Sequence, residues 1–80
     1  MNESEIRDRL AEIFREVFDD PSLAIADSMT AKDVPNWDSI THVDLIVSVE
    51  KAFRVSFTTR EVKSLENVGD FVRLIASRAG

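Results

Sequence analysis

Residues 36–53 read NWDSITHVDLIVSVEKAF, and their pattern decides the fold. Asp38 is a strong helix N-cap residue, and from Ser39 onward nothing breaks a helix until Phe53. The apolar positions are Ile40, Val43, Leu45, Ile46, Val47, Val49 and Phe53. That is wider than a single core stripe. Leu45, Ile46, Val49 and Phe53 suit a core. Ile40, Val43 and Val47, at i, i+3 and i+7, form a second edge that either buries more deeply or meets a partner.

Working outward, Glu3 to Phe18 carries Ile6, Leu10, Ile13, Phe14, Val17 and Phe18 at helical spacing, with acidic residues at its start. Asp19-Asp20-Pro21 stops it, because the residue before a proline is pushed out of the α region. Residues 19–38 show no sustained period, yet Leu23, Ile25, Met29, Val34 and Trp37 are too apolar for a free linker. This stretch reads as a long loop pinned across the helices, with a short turn near Thr30 to Val34. Beyond Phe53, Val55 to Phe57 is too short for a strand without a partner. Thr58 or Thr59 caps a short helix to about Ser64. Asn67 caps a last helix carrying Val68, Phe71, Val72, Leu74 and Ile75, with Asp70 at a capping-box-like position. The expected fold class is all-α: a four-helix bundle of three longer helices, one short helix and a long first loop, a single domain over residues 1–80.

The chain has 80 residues, no cysteine, one histidine and a net charge of -5. The acidic balance argues against nucleic acid and against an anionic membrane surface. A disulfide and a Cys-based zinc site are excluded, and no metal site is expected. The charged N-terminus does not read as a targeting segment, and no apolar run approaches the ~20 residues of a bilayer span. A cytoplasmic monomer is therefore expected. The charge is uneven: residues 19–38 hold five aspartates against Lys32 alone. Self-repulsion there predicts sensitivity to low salt.

Asp38, Ser39 and His42 superficially suggest a hydrolase. All three lie within five residues of one helix start, where a Ser–His–Asp relay cannot be arranged, and no nucleophile elbow surrounds Ser39. No catalytic residue is assigned. His42 reads as a surface helix residue touching Asp38. Ser39 makes more sense as an acceptor, exposed in the first turn, where a phosphate would lie near free N–H groups. From spacing alone, though, Asp-Ser is simply a common helix start.

The run from Asn36 to Ile46, continuing through Val49-Glu50-Lys51-Ala52-Phe53, resembles the acyl carrier protein family. So do Phe57, the helix start Thr58-Thr59-Arg60-Glu61-Val62, and Leu65-Glu66-Asn67-Val68-Gly69-Asp70-Phe71. The resemblance spans essentially the whole chain in the right order. It implies that a phosphopantetheinyl transferase attaches 4′-phosphopantetheine to Ser39, next to the flanking Asp38, and that the arm's thiol carries acyl groups as thioesters. The one reactive sulfur would then arrive with the cofactor. The implied role is presentation of acyl intermediates to acyl-transferring or synthase enzymes of fatty-acid, lipid or polyketide metabolism. Partner-reading positions would be Asp38, Ile40, Val43, Asp44, Val47 and Glu50. Acyl-pocket candidates between the second and third helices are Ile46, Val49, Phe53, Val62, Leu65 and Phe71, residues that are more often ordinary core.

Departures from the family pattern narrow the expectation. Ile40 replaces the usual leucine after the serine. Lys51 and Ala52 stand where fatty-acid carriers add acids, and Arg54, Arg60 and Lys63 make the following region basic. The chain is expected to be a specialised carrier with a dedicated partner. Two alternatives remain: an interaction module that keeps the fold without the prosthetic group, and an aminoacyl or peptidyl carrier. The second usually has a glycine pair before its serine, where this chain has Asn36-Trp37.

Overall fold

The structure is a computed structural model that describes residues 2–78. It contains four helices, α1 (Glu3–Val17), α2 (Ser39–Phe53), α3 (Thr59–Lys63) and α4 (Val68–Arg78), and no strand among the described residues. The all-α expectation with one short helix is met. The first helix ends one residue earlier than its apolar spacing implies, because Phe18 serves as its C-cap. The short third helix stops at Lys63, with Ser64 as C-cap.

One cluster of buried side chains joins three of the helices. Ile6, Leu10, Ile13 and Phe14 come from α1, Leu45, Ile46, Val49 and Phe53 from α2, and Val68, Phe71, Val72 and Ile75 from α4. The four α2 residues are those its periodicity assigned to the core. Removing a fully buried member such as Leu45 to alanine would cost about 2–5 kcal/mol. α3 buries no residue completely and is held by its ends instead. Thr58 and Glu61 form a reciprocal capping box, with Glu61 N–H donating to Thr58 Oγ1 and Thr58 N–H to Glu61 Oε1. The Arg78 guanidinium ties Glu61 and the Ser56 carbonyl to α4.

The long loop from Phe18 to Asp38 is fastened at several points. Arg15 donates to the Leu23 carbonyl at 2.7 Å. Arg7 forks onto both oxygens of Asp27 at 2.9 and 2.8 Å. The decisive bonds come from the start of α4, where Val68 N–H donates to Met29 O and Gly69 N–H to Asp27 O, both at 2.9 Å. These N–H groups have no partner within their own helix, so the loop carbonyls complete them. Asn67 caps α4 by accepting from Asp70 N–H, while the Asp70 carboxylate reaches one residue further back than a capping box, to Glu66 N–H. The turn expected near Thr30 is present, closed by Asp33 N–H to Thr30 O at 2.9 Å.

The acids of residues 19–38 are largely engaged. Asp20 accepts from Ser22, Asp27 from Arg7, Asp33 from Thr30 N–H and Asp38 from Ile40 and Thr41 N–H. Among the described residues only Asp27 of these four meets a cation; the other three keep their charge but are held by neutral donors.

Gly69 is needed where the loop meets α4. A β-carbon there would lie 3.1 Å from Asp27 Cβ and 3.2 Å from Asp27 O, the acceptor of its own N–H. Alanine is the better helix former by about 1 kcal/mol, but here its β-carbon crowds Asp27 and strains the Gly69 N–H bond to the loop. Gly69→Ala should lower Tm by roughly 5 °C in thermal melts followed by circular dichroism. An unchanged or raised Tm would show that the loop yields without loss.

Candidate functional site

The site is built at the start of α2. Val34-Pro35-Asn36-Trp37 forms a turn closed by Trp37 N–H to Val34 O, with proline second and Asn36 third at φ 70°. A positive φ at the third position suits asparagine and brings the chain sharply into the helix. Asp38 then caps α2. One of its oxygens accepts from Ile40 N–H at 2.9 Å and Thr41 N–H at 3.0 Å. Thr41 reciprocates, its hydroxyl accepting from Asp38 N–H at 2.8 Å and donating to Asn36 O at 2.7 Å.

Ser39 is consequently the first residue of α2 and is exposed. Its hydroxyl makes no hydrogen bond among the described residues, because Asp38 and Thr41 satisfy the surrounding backbone groups. The serine opens onto a groove of about 370 Å³ lined by Ala31, Trp37, Asp38, His42, Val62, Lys63, Leu65 and Glu66 besides Ser39. The loop, the start of α2 and the α3 region all contribute.

Trp37 fixes that arrangement. Its ring meets Phe14 edge-on, with centroids 5.3 Å apart and an interplanar angle of 88°, and lies 6.1 Å from Phe18. Such an aromatic pair adds about 0.5–1.5 kcal/mol beyond area burial. On its other side Trp37 stacks on His42, and its Nε1–H donates to His42 Nδ1 at 3.1 Å. The expected contact with Asp38 is therefore made by the backbone alone, His42 N–H donating to Asp38 O at 2.9 Å, while the His42 side chain meets Trp37. It is half-buried and partnered by Trp37. The signal for this was a tryptophan just before the cap and a histidine just after it.

The other singled-out residues divide cleanly. Ile40, Val43 and Asp44 are exposed on α2, as is Val47. Glu50 is half-buried and turned toward the α2–α3 connection, where it accepts from Phe57 N–H at 2.9 Å. Val62 and Leu65 line the groove beside Ser39. Ile46, Val49, Phe53 and Phe71 are buried in the helix core.

The small helical bundle thus leaves a serine exposed beside a groove, at the capped start of its second helix. No family model matches the sequence. Individual relatives do match. The chain is 35% identical over 77 residues to the acyl carrier protein of Acidothermus cellulolyticus, covering 96% of this chain and 92% of that protein. It is 32% identical over 79 residues to the acyl carrier protein of Kineococcus radiotolerans, covering 99% and 98% respectively. The solution NMR structure of the holo acyl carrier protein from Geobacter metallireducens superposes with a TM-score of 0.84 at 41% identity, over 89% of this chain and 82% of that one. The chain belongs to the acyl carrier protein family.

Two outcomes check the geometry. His42→Ala removes the acceptor of the half-buried Trp37 N–H, which should cost about 1–3 kcal/mol. It should also shift the fluorescence of this sole tryptophan to the red; an unchanged spectrum would mean the pair does not form. The second concerns acid. Hydrogen bonds from Thr41 and Ile40 N–H hold the Asp38 carboxyl below its ordinary range, and Arg7 does the same for Asp27. Thr58 N–H acts likewise on Glu61, and Glu66 N–H with Arg73 on Asp70. Stabilisation from depressed carboxyls is complete above about pH 4 and is lost as the pH falls through and below that value. Helicity should hold from pH 7 to 5 and decline below 4, with a shallower decline in Asp38→Asn. Constant helicity down to pH 2 would contradict this.

Proposed function

We infer that this carrier is loaded at Ser39 with 4′-phosphopantetheine and presents acyl intermediates to the enzymes of a specialised fatty-acid, lipid or polyketide pathway. The observation that carries the reading is the free, exposed Ser39 hydroxyl at the mouth of the groove. The donor chemistry fits the group: a primary hydroxyl is the attachment atom, and the adjacent groove offers Trp37, Val62 and Leu65 as apolar wall with Lys63 at its edge. When bound, the group supplies a terminal thiol, which this cysteine-free chain lacks, and with it a thioester link to the cargo.

The chain's own residues have the remaining tasks. Asp38 holds the helix start so that Ser39 faces outward. Trp37 and His42 keep the loop wall of the groove in place. Phosphopantetheinyl transferases and acyl-transferring or synthase enzymes are the partner classes. The specialised character is supported by the outward face of α2, where Lys51 follows Ile40, Val43 and Val47, and where Glu50 is drawn toward Phe57 N–H. A neutral-to-basic face weakens attraction to enzymes that read acidic carriers.

Co-expression with a phosphopantetheinyl transferase should add the mass of one phosphopantetheine to the intact protein, and Ser39→Ala should abolish the gain while leaving helicity unchanged. No gain with several transferases would favour a bare interaction module. The holo protein should also be loaded by general fatty-acid synthase enzymes on the order of tenfold less efficiently than a housekeeping carrier. Equal efficiency would remove the specialised pathway from the reading.

A further inference from the structure

The outward face of α2 changes character along its length. Ile40, Val43 and Val47 are 76%, 59% and 43% exposed, three aliphatic side chains with no cover among the described residues. Lys51 continues the same face one turn on, and Arg54 stands at the left-handed C-cap. Both cations are exposed and form no ion pair with any described residue. The acid just before Lys51, Glu50, is occupied by Phe57 N–H. Asp44 is the one exposed carboxylate along this run. The face is therefore apolar at its N-terminal end and positive at its C-terminal end.

We propose that this face docks a protein partner presenting an apolar patch edged by carboxylates. The partner's aliphatic groups cover Ile40, Val43 and Val47 while its Asp or Glu side chains pair with Lys51 and Arg54. The inference deepens the carrier reading, on which it rests, by giving the charge sign of the partner. Charge complementarity selects this occupant. The chain's net charge of -5 opposes an acidic partner only weakly beyond the screening length of about 8 Å, so the local sign of the face decides. An anionic lipid surface shares the charge preference but not the shape. Interfacial helices insert Trp, Phe or Leu, whereas this face offers only Ile and Val, with Asp44 alongside.

The test uses the full chain in its apo form, isotopically labelled for NMR. Two synthetic helical peptides share one leucine stripe; one is edged with glutamates and the other with lysines. Phosphatidylglycerol vesicles serve as a third probe. The glutamate peptide should move the amide signals of residues 40–54 and bind at least about tenfold more tightly than the lysine peptide. Lys51→Glu with Arg54→Glu should weaken it by a similar factor, and Lys51→Gln with Arg54→Gln should fall between. All four replacements are at exposed positions, and circular dichroism checks that the variants remain folded. Tighter binding of the lysine peptide, shifts confined to other elements, or a preference for vesicles would each overturn the proposal. Transferase-dependent mass gain on the same protein separates the two readings. Peptide binding without mass gain removes the carrier reading alone, and mass gain without selective peptide binding removes the docking face alone.

Discussion

Everything distinctive about this chain depends on a carboxylate accepting two backbone N–H groups. By capping α2 through Ile40 and Thr41, Asp38 fixes where the helix starts, and hence that Ser39 is its first residue. Without the cap the first turn would fray and Ser39 would lose its fixed place, while Leu45, Ile46, Val49 and Phe53 hold the rest of α2 on the core. The same cap satisfies the backbone around Ser39 and leaves its hydroxyl free. The start of α2 and the exposure of Ser39 are thus set together by one local interaction.

That cap is held in space by distant parts of the chain. Trp37, one residue before it, packs on Phe14 from α1 and stacks on His42 from α2. Further back, the loop carbonyls of Asp27 and Met29 complete the start of α4. The long loop is therefore a strap that supplies acceptors to two helix starts, the Asp38 carboxylate to α2 and the Asp27 and Met29 carbonyls to α4. The side chains of Asp20, Asp27 and Asp33 brace the strap itself.

How much of this could be read in advance follows from the range of the interactions. The extent of α2 and its core positions were legible, because a cap, an unbroken helical period and four buried apolar positions all agree within sixteen residues. Ser39 was legible as an exposed first-turn residue for the same reason. The fastening of the loop to α4 was not, since a bond from Gly69 N–H to Asp27 O leaves no periodic trace in either segment. His42 was misplaced because its partner lies before the cap, outside the helical spacing that the reading followed. The family resemblance put Glu50 on the partner-reading face, but the Phe57 N–H beyond the left-handed Arg54 draws its carboxylate inward.

The central claim, that capping by Asp38 makes Ser39 the loaded hydroxyl, is tested most directly by locating the modification rather than weighing it. After reaction with coenzyme A and a phosphopantetheinyl transferase, tandem mass spectrometry of the peptide spanning residues 33–51 should place the phosphopantetheine on Ser39. Attachment at Ser48, Thr41 or a serine outside this peptide would contradict the account.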